Sequence, residues 1–108
     1  MNSGISEEMI HKIVDALGEN IVRIILYGSM ARGSDTPESD IDIAVIVKHK
    51  PTLEEYNRLL DANVDLDLTY DRAFSVIDIE IEKLQQWGNI SPFYINLQKD
   101  GVVLCEVA

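Results

Sequence analysis

Ile25-Leu26-Tyr27-Gly28-Ser29 and, after ten intervening residues, Asp40-Ile41-Asp42-Ile43-Ala44-Val45-Ile46-Val47 form the stretch around which this chain is organised. Two apolar runs flank a polar turn that carries Gly28, Ser29, Arg32 and Gly33. Side chains alternate along a strand, so Asp40 and Asp42 point to one face. Ile41, Ile43, Val45 and Val47 take the other, which is the face expected to be buried. Two carboxylates about 4–5 Å apart at an effective dielectric of ~20 repel by about 3–4 kcal/mol. A fold keeps such a pair side by side when a cation sits between them. Paired aspartate oxygens at the mouth of a rigid strand suit Mg²⁺, a hard ion that takes oxygen ligands together with substrate phosphates.

The rest of the composition bounds the reading. At 108 residues, with 46% hydrophobic and 26% charged side chains, the chain reads as one domain, residues 1–108, with one core. No apolar run reaches the about 18 residues of a membrane span. The N-terminus lacks the basic-then-apolar order of a signal peptide, so a cytoplasmic location is expected. The single cysteine, Cys105, lies in an apolar run and reads as a buried or inert thiol. His11 and His49 stand apart, with no zinc-type spacing. A net charge of −10 without any run of Lys or Arg argues against direct nucleic-acid binding, which needs a basic surface.

Taken in order, residues 5–17 read as a helix with Ile5, Met9, Ile10, Ile13, Val14 and Leu17 on one face, Ser6 as N-cap and Gly18 as the stop. Residues 21–27 are nearly all apolar and read as a strand covered by helices on one face. Residues 30–39 are a loop broken by Gly33 and Pro37, and residues 40–48 a second strand. Thr52 and Glu55 match a capping box that opens a helix, with Leu53, Tyr56, Leu59 and Leu60 as its buried face and continuation toward residue 69 preferred. Residues 74–81 read as a strand and 82–87 as a helical turn. Ser91 caps a helix with Pro92 at its first position, closed by Lys99-Asp100-Gly101. Residues 102–106 form a final strand. This order predicts an α/β (α+β) domain: a small mixed β-sheet with helices on one face.

Tyr27-Gly28-Ser29, ten residues, then Asp40-Ile41-Asp42-Ile43 resembles the signature of the DNA polymerase β-like nucleotidyltransferase superfamily. The fuller form, Gly28-Ser29-Met30-Ala31-Arg32-Gly33 followed by Ser39-Asp40-Ile41-Asp42, is similar to the minimal nucleotidyltransferase (MNT) group, as are Pro92-Phe93-Tyr94-Ile95-Asn96 and Asp100-Gly101-Val102-Val103-Leu104. These are small proteins paired with HEPN-type partners in toxin–antitoxin modules. The resemblance implies a palm-like fold and a Mg²⁺-dependent transfer of a nucleotide, AMP from ATP above all, by attack on the α-phosphate with release of pyrophosphate. Asp40 and Asp42 would hold two Mg²⁺ ions and serve as catalytic carboxylates. Gly28 would let backbone approach a phosphate, Ser29 would offer its hydroxyl and nearby N–H groups, Arg32 would add positive charge, and Gly33 would turn the loop back.

The match departs from the family at the third carboxylate, which active members carry on the neighbouring strand as base and metal ligand. Placing residues 74–81 on that pattern puts Ser75 where the aspartate is expected. Asp78 is the first alternative, followed by Glu80 on the same face, then Asp65 or Asp67. The remaining reading is that the chain has none. A second departure is size: the chain has room for a nucleotide site but not for an acceptor domain, so the acceptor must come from a partner or lie across an oligomer interface. The resemblance implies AMP transfer to a HEPN toxin. The contrasting reading is a catalytically weak or inactive module that neutralises its partner by binding alone, for which the acidic charge would complement a basic ribonuclease.

Overall fold

The structure, a computed structural model, describes residues 3–107. Helix α1 (Ser3–Leu17) leads through a single 3₁₀ turn (Gly18–Asn20) into strand β1 (Ile21–Tyr27). The short helix α2 (Gly28–Arg32) and a loop connect to β2 (Ile41–Val47), followed by α3 (Leu53–Tyr70), β3 (Phe74–Glu80), α4 (Ile81–Trp87), α5 (Pro92–Asp100) and β4 (Val102–Glu106). The four strands lie in the order β3-β2-β1-β4. β1 is antiparallel to β2 and β4, and β2 is parallel to β3, which makes the sheet mixed, as expected. A parallel pair needs a long crossover, and α3 supplies it.

Alternation along the two central strands divides the core. Ile24 and Leu26 of β1 and Ile41, Ile43, Val45 and Val47 of β2 face α1 and α3, where Met9, Ile13, Leu59 and Leu66 are buried against them. Ile25, Ala44 and Ile46 face the other way and pack with Leu84 of α4 and Leu97 of α5. The two long helices therefore share one face, and the short pair α4 and α5 adds a thinner layer on the opposite one. Cys105 is half-buried against the first core and forms no disulfide. Among the described residues no helix is long and apolar enough to cross a membrane.

Residues 30–32, read as loop, belong to helix α2, and two longer helices differ in detail from their sequence reading. Helix α1 is already helical at Ser3, so Ser6 lies inside it and does not cap it. Ile5 packs against the core and carries the helix a turn further, whereas Val14 is exposed. Helix α3 has the expected capping box, with Glu55 N donating to Thr52 Oγ1 and Thr52 N to Glu55 Oε1, but a different inner face. Leu59, Ala62 and Leu66 are buried, while Leu53, Tyr56 and Leu60 are exposed. Polar anchors at both ends set this rotation. Arg58 Nε donates to Ala16 O at 3.0 Å and Lys12 pairs with Asp65 at 3.2 Å. Asn63 Nδ2 donates to Phe74 O at 2.7 Å, and Asp67 Oδ1 accepts from Phe74 N at 2.7 Å.

Asn20 locks the entry of β1 to the exit of β2. It is 4% exposed; its Oδ1 accepts from Lys48 N and His49 N, and its Nδ2 donates to His49 O, each at 3.0 Å. Truncation leaves three backbone groups without these partners. Asn20→Ala is expected to cost about 2 kcal/mol and to lower Tm by about 10 °C in a thermal melt; an unchanged Tm would show that water replaces the amide without loss.

Candidate active site

The site lies where β1 ends and β2 begins. Antiparallel register sets Tyr27 opposite Asp42, and the chain then turns at Gly28, whose φ is +73°. A Cβ at Gly28 would fall on the Asp42 carboxylate. Only glycine satisfies both the left-handed backbone and this close approach. Helix α2 carries Ser29 and Arg32 and ends at Gly33, φ +72°, whose N–H turns back to the carbonyls of Ser29 and Met30. Ser29 is half-buried, and Arg32 and Gly33 are exposed.

The return loop is tied down just before Asp40. Thr36 N donates to Ser39 Oγ at 2.8 Å, and Ser39 N to Thr36 O at 3.0 Å. Arg72 Nη2 donates to Ser39 O at 2.7 Å, and Ile41 N donates to Ala73 O at 2.9 Å. Asp40 is thus held between two backbone anchors supplied by neighbouring residues at the start of β3. Arg72 escaped the sequence reading; its one visible signal is that it is among nine Lys and Arg residues in an acidic chain and stands at a helix-to-strand junction.

The electrostatics match this placement. Partial burial, then the neighbouring charge of Asp40, raise the Asp42 carboxyl above its ordinary pKa of 3.8, while the Arg32 guanidinium opposes the shift. Burial, and then Asp42, raise the Tyr27 phenol. Gly28, Arg32, Asp40 and Asp42 therefore converge, as their spacing predicted. Beside them opens a cleft of about 240 Å³ lined by Tyr27, Gly28, Arg32, Phe93, Asn96 and Asp100. Phe93 meets Tyr27 edge-on with centroids 5.6 Å apart. The cleft residues of α5 lie in stretches that carried the family resemblance but were not read as site residues, because they approach the loop only through the tertiary fold.

The candidates for a third carboxylate do not reach this point. Parallel register places Ser75 beside Asp42, and places Asp78 beside Val45. Paired residues of neighbouring strands share a face, so Asp78 and Glu80 belong to the α3 face, opposite Asp42 and further along the strand. Asp78, expected among the catalytic carboxylates, is thereby set apart from Asp40 and Asp42. Asp65 pairs with Lys12 on the outside of α3, and Asp67 accepts from the Phe74 amide. Among the described residues no group of three or more His, Cys, Asp or Glu side chains is arranged to hold a metal. What remains is a pair, Asp40 and Asp42, with a serine in the third place.

Comparison with known proteins identifies the family. Residues 8–105 match the polymerase beta nucleotidyltransferase family model. The chain belongs to the polymerase β nucleotidyltransferase family. A Methanocaldococcus jannaschii relative that bears the name "Putative protein adenylyltransferase" is 37% identical over 73 residues, 68% of this chain and 74% of the relative. Among solved structures, a toxin–antitoxin complex with AMP-PNP matches with a TM-score of 0.64 at 22% identity, over 94% of this chain and 73% of that one. A tri-AMPylated Shewanella oneidensis HEPN toxin in complex with MNT antitoxin matches with a TM-score of 0.65 at 18% identity, over 99% of this chain and 74% of that one. At these identities the structural likeness establishes the fold. Family membership makes the chain a nucleotidyltransferase, and it agrees with the convergence of the Gly28–Gly33 loop on Asp40 and Asp42.

The raised Asp42 carboxyl has a consequence for stability. The folded state binds this proton more readily than the unfolded chain. Its favourable contribution is therefore complete below pH 3.8 and is lost as pH rises through the elevated folded value. At pH 7 the ionised side chain destabilises the fold. Asp42→Asn is expected to raise Tm at pH 7 by about 2–4 °C, the equivalent of about 0.5 kcal/mol for a partly solvated carboxylate, with the gain vanishing below about pH 4. A variant that melts below the wild type at pH 7 would overturn this account of the site.

Proposed function

We propose that the protein transfers AMP from ATP to a hydroxyl of a partner protein, a HEPN-type toxin, and silences the partner by this modification. The observation that carries the reading is the convergence of the Gly28–Gly33 loop on the Asp40/Asp42 pair at one end of the sheet. The names of its relatives support it: a protein adenylyltransferase, a toxin–antitoxin complex with AMP-PNP and an AMPylated HEPN toxin bound to an MNT antitoxin.

The donor set fits Mg²⁺. Asp40 and Asp42 sit close enough for one to raise the carboxyl pKa of the other, and hard oxygen ligands of this kind suit Mg²⁺ better than softer metals. When bound, Mg²⁺ at these carboxylates supplies charge neutralisation for the phosphates and acidifies the attacking hydroxyl. The chain's own groups do the rest. Gly28 lets the backbone come near the triphosphate, Ser29 offers hydroxyl and amide donors, and Arg32 stabilises the charge of the departing pyrophosphate. The cleft between Tyr27 and Phe93 receives the nucleoside. The acceptor oxygen forms a bond to the α-phosphorus as the bond to pyrophosphate breaks, and the acceptor's proton passes to solvent water.

Ser75 favours a second reading. A serine beside Asp42 supplies neither a carboxylate base nor a third carboxylate ligand, so transfer is slow, or the module neutralises its partner by binding alone. Labelled ATP, Mg²⁺ and the HEPN-type partner distinguish the two. Label on the partner that falls at least about 100-fold in Asp40→Asn and in Asp42→Asn establishes the transferase. A stable complex with no label under any condition establishes the binding module.

Ser75→Asp completes the set of three carboxylates. It is expected to raise the transfer rate about tenfold or more, the lower range of general-base catalysis, as measured by initial rates at saturating ATP. An unchanged or lower rate would show that Ser75 does not occupy the place of a missing base.

A further inference from the structure

Helix α3 carries two apolar stripes, and the fold uses one. Leu59, Ala62 and Leu66 are inside. Leu53, Tyr56, Leu60, Val64 and Leu68 recur at intervals of three and four residues, which aligns them along the opposite side of the helix. All five are exposed, with Leu53 at 75%, Val64 at 55% and Leu68 at 77%. Single exposed apolar side chains are ordinary on a surface, but a continuous row along an 18-residue helix is the mark of an interface.

The surroundings of the stripe indicate what covers it. At its N-terminal end lies a socket of about 430 Å³, lined by Lys50, Pro51, Thr52, Leu53, Tyr56 and Asp78. This is the place of Asp78, which parallel register withdrew from the active site. Along the helix Glu54 pairs with Arg58 and Asp65 with Lys12, while Asp61, Asp71 and Asp78 have no ion-pair partner among the described residues. An apolar row flanked by unpaired carboxylates complements a helix that is apolar on one side and basic along its flanks. The same carboxylates would face one another across a two-fold contact between copies of a chain with net charge −10, which disfavours self-association.

We propose that the outer face of α3, with the socket at Asp78, is the docking surface for a basic amphipathic helix of the partner protein. The inference rests on the reading that the protein acts on a partner, and it adds where that partner is held. The docking face lies on the opposite side of the sheet from Asp42, so it serves as a tether apart from the reacting atoms.

The probe is a synthetic 18-residue Leu/Lys peptide with one apolar face, compared with a peptide of identical composition scrambled to abolish that face. Calorimetric titration of the full chain is expected to give at least tenfold tighter binding of the amphipathic peptide. Leu60→Gln/Leu68→Gln, two exposed positions changed to a good helix former, is expected to erase the difference while leaving the melting curve in place. Asp78→Asn is expected to weaken binding several-fold and to reduce its salt dependence. Equal affinity for the two peptides, or an unaltered preference in the double variant, would overturn the proposal. So would a dimer in sedimentation velocity that the double variant dissociates, since a second copy would then be the occupant. No arm involves nucleotide, so failure of AMP transfer and failure of this surface are separate results.

Discussion

Strand β2 is sealed on both faces. From Ile43 to Val47 every side chain is fully buried, with α1 and α3 on one side and α4 and α5 on the other. Its neighbours on either edge are hydrogen-bonded along its whole length. Such a strand cannot shift by one residue, because every side chain would exchange faces. Asp42 is the one exception, a carboxylate at the mouth of an otherwise dry strand. Burial at this mouth, and then repulsion from Asp40 that no movement of β2 can relieve, hold the Asp42 pKa above its ordinary value.

The loop that faces this pair is fixed with comparable economy. A left-handed glycine brings α2 against Asp42, and a second one ends the helix after Arg32. Arg72 and Ala73 then hold the backbone on both sides of Asp40. Crossover helix α3 delivers these two residues to the mouth of β2, so the element that makes the parallel β2–β3 pair also positions the acidic loop. Asp42 therefore stands on a rigid strand and Asp40 on a loop anchored at both sides, while Asp40 and Arg32 stay open to solvent. Under the proposed AMP transfer, this opening would admit both a nucleotide and a bulky acceptor.

Helix α3 illustrates a division between local and tertiary information. Its capping box, its length and its existence follow from Thr52, Glu55 and the run of helix formers. Its rotation does not, because the helix is apolar on two sides. Leu53, Tyr56 and Leu60 satisfy the helical period as well as Leu59, Ala62 and Leu66 do. The choice between the stripes falls to contacts that are 11 to 53 residues apart in sequence: Asn63 with Phe74, Arg58 with Ala16, Lys12 with Asp65. Register acts in the same way on β3. Alternation alone puts Asp78 and Glu80 on one face and Ser75 on the other, but it is pairing of Asp42 with Ser75 that decides which of them shares the face of Asp42.

The amino-acid sequence by itself determined most of the elements, the class of fold, the family and the core of the candidate site, because each of these is written in short-range chemistry. Two alternating strands, two glycines at turns, an arginine between them and a pair of aspartates one residue apart lie within about twenty consecutive residues. Only the tertiary structure decided what depends on long-range geometry: which stripe of α3 faces inward, that Arg72 and the cleft residues of α5 attend the site, and that Asp78 does not. The physical reason is that alternation and helical period specify faces relative to their own element, whereas the partner of each face is set by register and by packing between distant segments.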